Sequence, residues 1–377
     1  MKKNLLKNST VQTLVASLLC IVLGLFLGYL VLLLINPDGA GDAILTVIKN
    51  FWTYNRKASQ IKYLGNTLVK TAPLLMCALS ILFSYKVGLF NIGAAGQYCV
   101  GAALSLYAAL GLGWSWLPCM LAAILGGALL AGISGLLKSY CNVNEVISGI
   151  MLNWITLYLT NLVLGTVKNP TSPYTKTLQS TNPGALIPSL GLEKLFNNEK
   201  SVTIAIPLAV LTAVLVWVVL NKTKFGYELK ATGSNYNAAK YCGMKENRNI
   251  ILTMVIAGAL AGFGAGLLYL TGIEDWETTI SSVPGMGFNG IAVAFLGGLS
   301  PLGSILSAFF IQYITTGGGN VDLQVYCSQI SSLISALIIY LCAFVGFFKY
   351  FIQTRLRKAD ERNAAKAAQI QEGGEDR

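Results

Sequence analysis

The segment QTLVASLLCIVLGLFLGYLVLLLI, from Gln12 to Ile35, runs for 24 residues without a charged side chain. At a rise of about 1.5 Å per residue, about 20 apolar residues in a helix cross the hydrocarbon core of a bilayer. A basic stretch, Met1 to Lys7, precedes this run. Because the run is too long for the apolar part of a cleaved signal peptide, we expect an uncleaved first membrane span.

Similar apolar runs recur along the whole chain. Of its 377 residues, 54% are hydrophobic and 11% are charged, whereas soluble domains carry about 25% charged residues. We therefore expect an all-α, polytopic membrane protein with about ten transmembrane helices in one domain, residues 1–350, followed by a charged tail, residues 351–377. The predicted spans lie near residues 12–35, 67–85, 93–112, 116–137, 146–165, 202–220, 250–270, 289–299, 304–317 and 328–348. The eighth and ninth are short and interrupted by glycine, which predicts broken or re-entrant segments shielded by protein.

The positions of the basic residues predict the orientation. With a cytoplasmic amino terminus, 18 of the 27 Lys and Arg residues fall on the inner side, as the positive-inside rule requires. Both termini and the loop 221–249 are then cytoplasmic, the loop 166–201 is outside, and Glu274, Asp275 and Glu277 face outward, beyond any Lys. The Pro-rich outer loop predicts a compact irregular cap. The net charge of +11 does not indicate nucleic-acid binding, because the cations lie between apolar runs.

Several kinds of chemistry are excluded. The chain has no His, and no pair of its eight Cys has CxxC spacing, so we expect no metal site and no cofactor. The motif GxxxxGK[ST] is absent, so any ATP must act through a partner. These features argue against an enzyme.

A polar stripe marks the fifth predicted span. Glu145, Gly149, Asn153, Thr156 and Thr160 fall within about 80° on a helical wheel. Polar side chains in a membrane helix face the bundle interior or a water-filled route. Hydrogen bonding between packed helices explains the stripe equally well.

Two glycine clusters interrupt apolar runs, GLFNIGAAGQ (Gly88 to Gln97) and GMGFNGIAVAFLGG (Gly285 to Gly298). Paired interruptions in the two halves are typical of an inverted repeat, here of the second-to-fifth and seventh-to-tenth spans, and often flank a transport route. Their polar residues, Asn91, Gln97 and Asn289, are therefore candidates for that route. Close packing through small residues is the alternative interpretation.

The inner loop contains a candidate docking element, FGYELKATGSNYNAAKYCGMKENRN, from Phe225 to Asn249. Ser234 can cap a short helix, and Gly243 can end it. Because helix connections usually have about two to eight residues, this length favours a docking function over an ordinary connection.

From Leu64 to Tyr350 the chain resembles the permeases of bacterial ATP-binding-cassette (ABC) importers of the simple-sugar and branched-chain amino acid group, and is most similar to their nucleoside-type members. Four motifs carry the resemblance: GLFNIGAAGQ, NEVISGIMLNWI (Asn144 to Ile155), ATGSNYNAAKYCGM (Ala231 to Met244) and FNGIAVAFLGGLSPLG (Phe288 to Gly303). Each motif alone is weak, and the four together are specific.

The resemblance implies a bacterial cell-membrane protein, embedded in lipid, with three kinds of partner: a second permease subunit, cytoplasmic ABC ATPases and an extracytoplasmic substrate-binding lipoprotein. It implies that the fifth and tenth spans lie near the substrate route, which adds Gln329 and Ser332 to the candidates. The part of the loop that resembles the coupling helix to the ATPase contains Gly233, Asn235, Ala238, Ala239, Tyr241 and Gly243. Relatives often have Glu in place of Ala95 and an acidic residue in place of Asn289, so the preferred solute can differ.

Three functions are compatible with these observations to different degrees. The first is an ABC permease that imports nucleosides by alternating access. An ion-coupled secondary transporter of a small polar solute usually needs an ionisable group near the bilayer midplane, and the sequence offers none there. An ABC permease for a sugar or a branched-chain amino acid is the third.

Overall fold

The computed structural model describes residues 9–321, and beyond them 333–334, 336–337, 340–341, 344–358 and 361. Within these residues the chain is helical, and its extended pairings are two isolated bridges, Lys168 with Thr175 and Tyr174 with Glu277. Six of the described helices are long and apolar enough to cross a membrane, by length and composition. The prediction of an all-helical chain is confirmed for this part.

The helices follow one another with short connections, apart from two longer segments at 166–204 and 270–284. Those before the first longer segment are α1 (Ser9–Ile35), α2 (Ala40–Lys49), α3 (Lys57–Tyr85), α4 (Ala94–Leu110), α5 (Trp116–Cys141) and α6 (Glu145–Gly165). Those after it are α9 (Ala205–Lys222), α10 (Lys224–Ser234), α11 (Tyr236–Tyr241), α12 (Glu246–Tyr269), α13 (Gly285–Leu296) and α14 (Pro301–Gly318). Residues 345–358 are also helical, so the predicted tail boundary at 350 falls inside a helix.

Nine of the ten predicted apolar runs coincide with described helices, and of the tenth, 328–348, the structure describes 11 of the 21 residues. The start of α3 was predicted at 67, yet the helix begins at Lys57. Its first turns are polar, and an ion pair of 3.1 Å between Lys62 and Glu199 joins them to the segment 166–204. Helix α2 was not predicted, because ten residues are too few to span a bilayer.

Glycine contacts hold the centre of the bundle together. A β-carbon added at Gly127 on α5 would overlap the carbonyl oxygen of Gly258 on α12, and one added at Gly262 would overlap that of Ala123. Gly101 on α4 also lies against Gly262. Without side chains at these positions the three backbones come into contact, as is common between membrane helices.

Both predicted glycine clusters contain a break between helices. Residues 86–93 separate α3 from α4, with Gly88 at φ 76°. In the second cluster the chain turns at Gly297 and Gly298, because Gly285 to Leu296 is itself helical. The α13 glycines allow close packing, since Gly287 lies against Ala95 and Gly290 against Cys77.

The carbonyl groups at the end of α13 are paired by side chains from neighbouring helices. The Ser17 hydroxyl of α1 donates to the Leu296 oxygen at 2.8 Å. The Val293 oxygen already accepts from the Gly297 amide at 2.9 Å, and the Ser307 hydroxyl of α14 donates a second bond to it at 2.8 Å. The Leu296 carbonyl needs its side-chain partner, because the last carbonyls of a helix have no partner within the helix.

The segment 166–204, called the cap segment below, is irregular as predicted. Its α-helices, α7 (Leu178–Thr181) and α8 (Leu192–Leu195), have four residues each. The amide of Ile187 donates to the Leu270 oxygen at 2.9 Å, which fastens the cap segment to the end of α12.

The glycine packing generates a stability prediction. Changing Gly262→Ala places a methyl group against the Ala123 carbonyl, and overpacking of this kind costs about 1–3 kcal/mol. The control is Gly165→Ala at the end of α6, where an added β-carbon has no atom within 4 Å. Thermal unfolding of the purified protein is monitored by size exclusion. We expect a lower unfolding midpoint for Gly262→Ala and an unchanged midpoint for Gly165→Ala. Equal midpoints for the two variants would show that α5 and α12 are not in close contact.

Candidate functional site

A closed cluster of side-chain amides lies at the break between α3 and α4. Asn91 donates to the Gln97 carbonyl oxygen at 2.8 Å, and Gln97 donates back to the Asn91 oxygen at 2.9 Å. Asn91 also donates to the Ser80 hydroxyl of α3 at 3.0 Å. All three side chains are buried. The two route candidates of the first glycine cluster are thus paired with each other.

Asn153 joins α6 to the start of α4. Its side-chain oxygen accepts a hydrogen bond from the Gly96 amide at 2.7 Å, and its nitrogen donates to the Ile92 oxygen at 3.0 Å. The N-cap residue of α4 is Gly93, which has no side chain to cap the helix. Asn153, which lies on α6, therefore caps the N-terminus of α4 in place of an N-cap side chain.

The rest of the polar stripe on α6 is buried on the same side. Gly149 lies against Gly93, and the Thr156 hydroxyl donates to the Leu152 oxygen of its own helix at 2.7 Å. Thr160 is 1% exposed, and its hydroxyl has no partner in the described part of the chain. At the start of the helix, Glu145 forms a 2.9 Å ion pair with Lys138 of α5. The stripe thus faces the interior of the bundle, with Asn153 at its centre.

The remaining route candidates lie further away or cannot be placed. Asn289 on α13 is half-buried and makes no hydrogen bond to the described residues. It is two residues from Gly287, which touches Ala95 at the start of α4. Gln329 and Ser332 lie outside the described residues. The structure therefore brings together Asn91, Gln97, Asn153 and Thr156, and leaves Asn289 at the edge of that group.

A cavity of about 590 Å³ lies between the cap segment and residues 270–284. Its polar and aromatic lining residues are Tyr174, Tyr269, Glu274, Asp275, Trp276 and Glu277. This cavity was missed by reasoning from the sequence. A usable signal existed, because these three acids are among only 16 in the chain and flank a tryptophan.

The electrostatics of this cavity correct one prediction. Glu274 was expected to lie beyond any lysine, yet Lys70 of α3 contacts it at 2.7 Å. The error has a simple cause, since Lys70 falls inside an apolar run and its partner lies far away in the sequence. Burial raises the pKa of the Asp275 carboxyl above its ordinary value.

The candidate coupling element consists of α10 and α11. Asn235, and not the predicted Ser234, caps α11, because its side-chain oxygen accepts from the Ala238 amide at 2.9 Å. Ala239 is 3% exposed and faces the chain itself, whereas Tyr241 is 92% exposed. Gly243, at φ 76°, turns the chain after the helix, as predicted.

Helix α10 lies directly on the break that follows α3. A β-carbon added at Gly233 would lie 2.5 Å from the Lys86 oxygen and 2.7 Å from Val87. The adjacent Thr232 hydroxyl accepts a hydrogen bond from Asn249 of α12 at 3.0 Å. Burial lowers the pKa of Lys86, and repulsion from Lys230 of α10 adds to this effect. The coupling element and the amide cluster thus contact the same eight-residue break.

Comparisons with known proteins agree on one family. The family described as "Branched-chain amino acid transport system / permease component" matches residues 63–343. The guanosine ABC transporter permease protein NupP of Bacillus subtilis (strain 168) is 31% identical over 350 residues, which cover 92% of this chain and 97% of that protein. The nucleoside ABC transporter permease protein NupB of Lactococcus lactis subsp. cremoris (strain MG1363) is 31% identical over 373 residues, 96% of this chain and 98% of that protein.

A third relative, the glucose ABC transporter permease protein TsgB13 of Haloferax volcanii, is 30% identical over 300 residues, 76% of this chain and 78% of that protein. No solved structure matches the chain significantly.

The pairing of Asn153 generates a prediction. Asn153→Leu leaves the buried Gly96 amide and Ile92 oxygen unpaired, at about 1–3 kcal/mol for each such group. The control is Thr156→Val, because that hydroxyl bonds only within its own helix. Asn153→Leu should therefore lower the thermal midpoint of the purified protein, and Thr156→Val should leave it nearly unchanged. Unaltered stability in Asn153→Leu, with reduced solute transport, would instead place the amide in contact with the solute.

Proposed function

The chain belongs to the permease family of branched-chain amino acid transport systems, and on that premise we propose that it is the transmembrane permease subunit of an ABC importer of nucleosides. The observation that carries the proposal is the similarity, over nine-tenths or more of the chain, to a guanosine permease and a nucleoside permease. Neither an ion-coupled transporter nor an importer of sugars or branched-chain amino acids is favoured by these two relatives. ATP hydrolysis belongs to partner subunits.

The amide cluster supports a route for an uncharged, polar solute. Asn and Gln side chains both donate and accept hydrogen bonds, as do nucleobase edges and ribose hydroxyls. They achieve this without the cost of burying a charge. We propose a route lined by Asn91, Gln97, Asn153, Thr156, Thr160, Asn289, Gln329 and Ser332. In this route a solute replaces the hydrogen bonds that Asn91, Gln97 and Asn153 now make.

The coupling element supports a contact with an ATPase. Gly233 and Ala239 face this chain's own helices, so they position the element. Tyr241 projects away from the protein and is the side chain best placed to enter a groove on the ATPase. Asn235, Ala238 and Gly243 set the shape of the turn that presents it.

We further propose ten crossings, an inverted repeat of the second-to-fifth and seventh-to-tenth spans, and cytoplasmic termini. The two glycine clusters meet where Gly287 of α13 touches Ala95 of α4, which is consistent with two related halves. An impermeant thiol reagent should reach Cys introduced at Ser172 and at Asn237 from opposite sides, and labelling from one side would refute this topology. The partners are a second permease subunit, the ATPase, a substrate-binding lipoprotein and lipid.

Uptake by the complete transporter tests the proposed function. Cells that express both permeases, the ATPase and the lipoprotein should accumulate labelled guanosine, and unlabelled nucleosides should compete better than glucose or leucine. A catalytically inactive ATPase should abolish accumulation. Competition by glucose or leucine, with none by nucleosides, would reject the nucleoside assignment while keeping the class of transporter.

Tyr241→Ala in the same assay tests the coupling element. We expect uptake to fall at least about tenfold and ATPase co-purification to weaken, because buried interface tyrosines often contribute 2 kcal/mol or more to binding, by rough estimate. Tyr350→Ala is the control, since Tyr350 is 69% exposed outside this element. Normal uptake and co-purification in Tyr241→Ala would remove this residue from the interface.

A further inference from the structure

The cavity between the cap segment and residues 270–284 is not part of the route proposed above. At about 590 Å³ it falls within the size range of small-molecule pockets. Its floor is formed by Ile280 and Pro284. Pro284 directly precedes α13, whose Gly287 touches Ala95 at the start of α4. The first turn of α13 thus links the cavity to the start of α4, which carries Gln97 of the amide cluster.

Hydrogen bonds fix the walls of this cavity. Trp276 donates from its indole nitrogen to the Asn161 oxygen at 2.9 Å, and Asn161 donates to the Ile280 oxygen at 2.8 Å. On the opposite side, the Thr278 amide donates to the Pro173 oxygen at 2.9 Å. The cap segment and the residues before α13 therefore form one framework around the space, so its lining is preorganised.

The aromatic lining offers a surface for a planar ring. Trp276 and Tyr269 are 2% and 7% exposed and form the inner wall, with their ring centres 5.7 Å apart. Tyr174 is 44% exposed at the mouth, and its backbone is held in a bridge with Glu277. Every nucleobase can stack on an aromatic side chain of this kind, because each has a planar π-face.

The three carboxylates of the cavity differ in the ion pairs and hydrogen bonds that they already form. Glu274 is paired with Lys70 at 2.7 Å. Glu277 accepts one hydrogen bond, from the Thr279 hydroxyl at 3.1 Å. No cation of the described residues pairs with Asp275 or Glu277. An ionised carboxylate only accepts hydrogen bonds, which suits ribose hydroxyls and base N–H groups and repels phosphate.

We propose that this cavity is an entry site of the permease, where Tyr174 stacks on the base and Asp275 and Glu277 accept hydrogen bonds from the nucleoside. It selects uncharged nucleosides against their phosphorylated forms. The proposal rests on the proposed function, whose route it extends. A cavity lined by charges of one sign focuses their field, so the carboxylates repel a phosphate group that enters it.

Direct binding tests the entry site without the lipoprotein. Labelled guanosine is titrated onto the assembled permease and ATPase complex in nanodiscs, with guanosine and guanosine 5′-monophosphate as competitors. For the wild type we expect saturable binding that the monophosphate does not displace. Tyr174→Ala should weaken guanosine binding about tenfold, and Tyr174→Phe, which keeps the ring, should bind like the wild type.

The double change Asp275→Asn and Glu277→Gln tests the charge. We expect it to weaken guanosine binding and to let the monophosphate compete. Glu193→Gln is the matched control, because it also removes a carboxylate charge but lies on α8, outside the cavity lining. It should change neither the affinity for guanosine nor the competition by the monophosphate. Recovery of the assembled complex by size exclusion confirms that each variant folds.

Three outcomes would overturn the entry site. The first is that guanosine does not bind saturably to the wild-type complex. The second is that Tyr174→Ala and the double variant both bind guanosine like the wild type. The third is that the monophosphate displaces guanosine from the wild-type complex. Guanosine uptake by the complete transporter separates this failure from that of the proposed function. If the complete transporter takes up guanosine and any of the three outcomes is found, only the entry site is rejected. If it takes up no nucleoside, both the entry site and the proposed function are rejected.

Discussion

Backbone groups at a helix end have no partner within the helix, and in an apolar interior water cannot supply one. This constraint explains the polar side chains at both breaks. At the start of α4, whose cap position is a glycine, Asn153 supplies the missing acceptor and also pairs the Ile92 oxygen. At the end of α13, the Ser17 hydroxyl pairs the Leu296 carbonyl. We propose that a polar solute finds its donors and acceptors at the breaks for the same reason.

The first break contacts both the amide cluster and the candidate coupling element, and we propose that it connects the solute route to the ATPase. On one side, Gly233 of α10 lies against Lys86 and Val87. On the other, Asn91 at the end of the break pairs with Gln97 and Ser80. Residues 86–91 therefore link α10 to the amide cluster directly, without passing through the tightly packed contact of α5 with α12.

The sequence contained the lengths and positions of most helices, because apolar runs and glycine clusters are local features. It also predicted that the stripe on α6 is polar along one face. It did not show that Asn153 caps α4, since that depends on which helix lies opposite. The same limitation applies to Lys70 with Glu274, to Ala239, which faces inward, and to the cavity at Trp276. Each of these depends on a contact between residues that are distant in the sequence.

The proposed route requires the closed amide cluster at the first break to open during transport. The decisive measurement is the accessibility of Ser80→Cys in a complex whose other cysteines are replaced, because Ser80 is fully buried beside Asn91. We expect an impermeant thiol reagent to modify this cysteine in one nucleotide state of the ATPase and not in another, and guanosine to block the modification. A cysteine that stays unreactive in every nucleotide state, while one at exposed Asn237 reacts, would contradict this expectation.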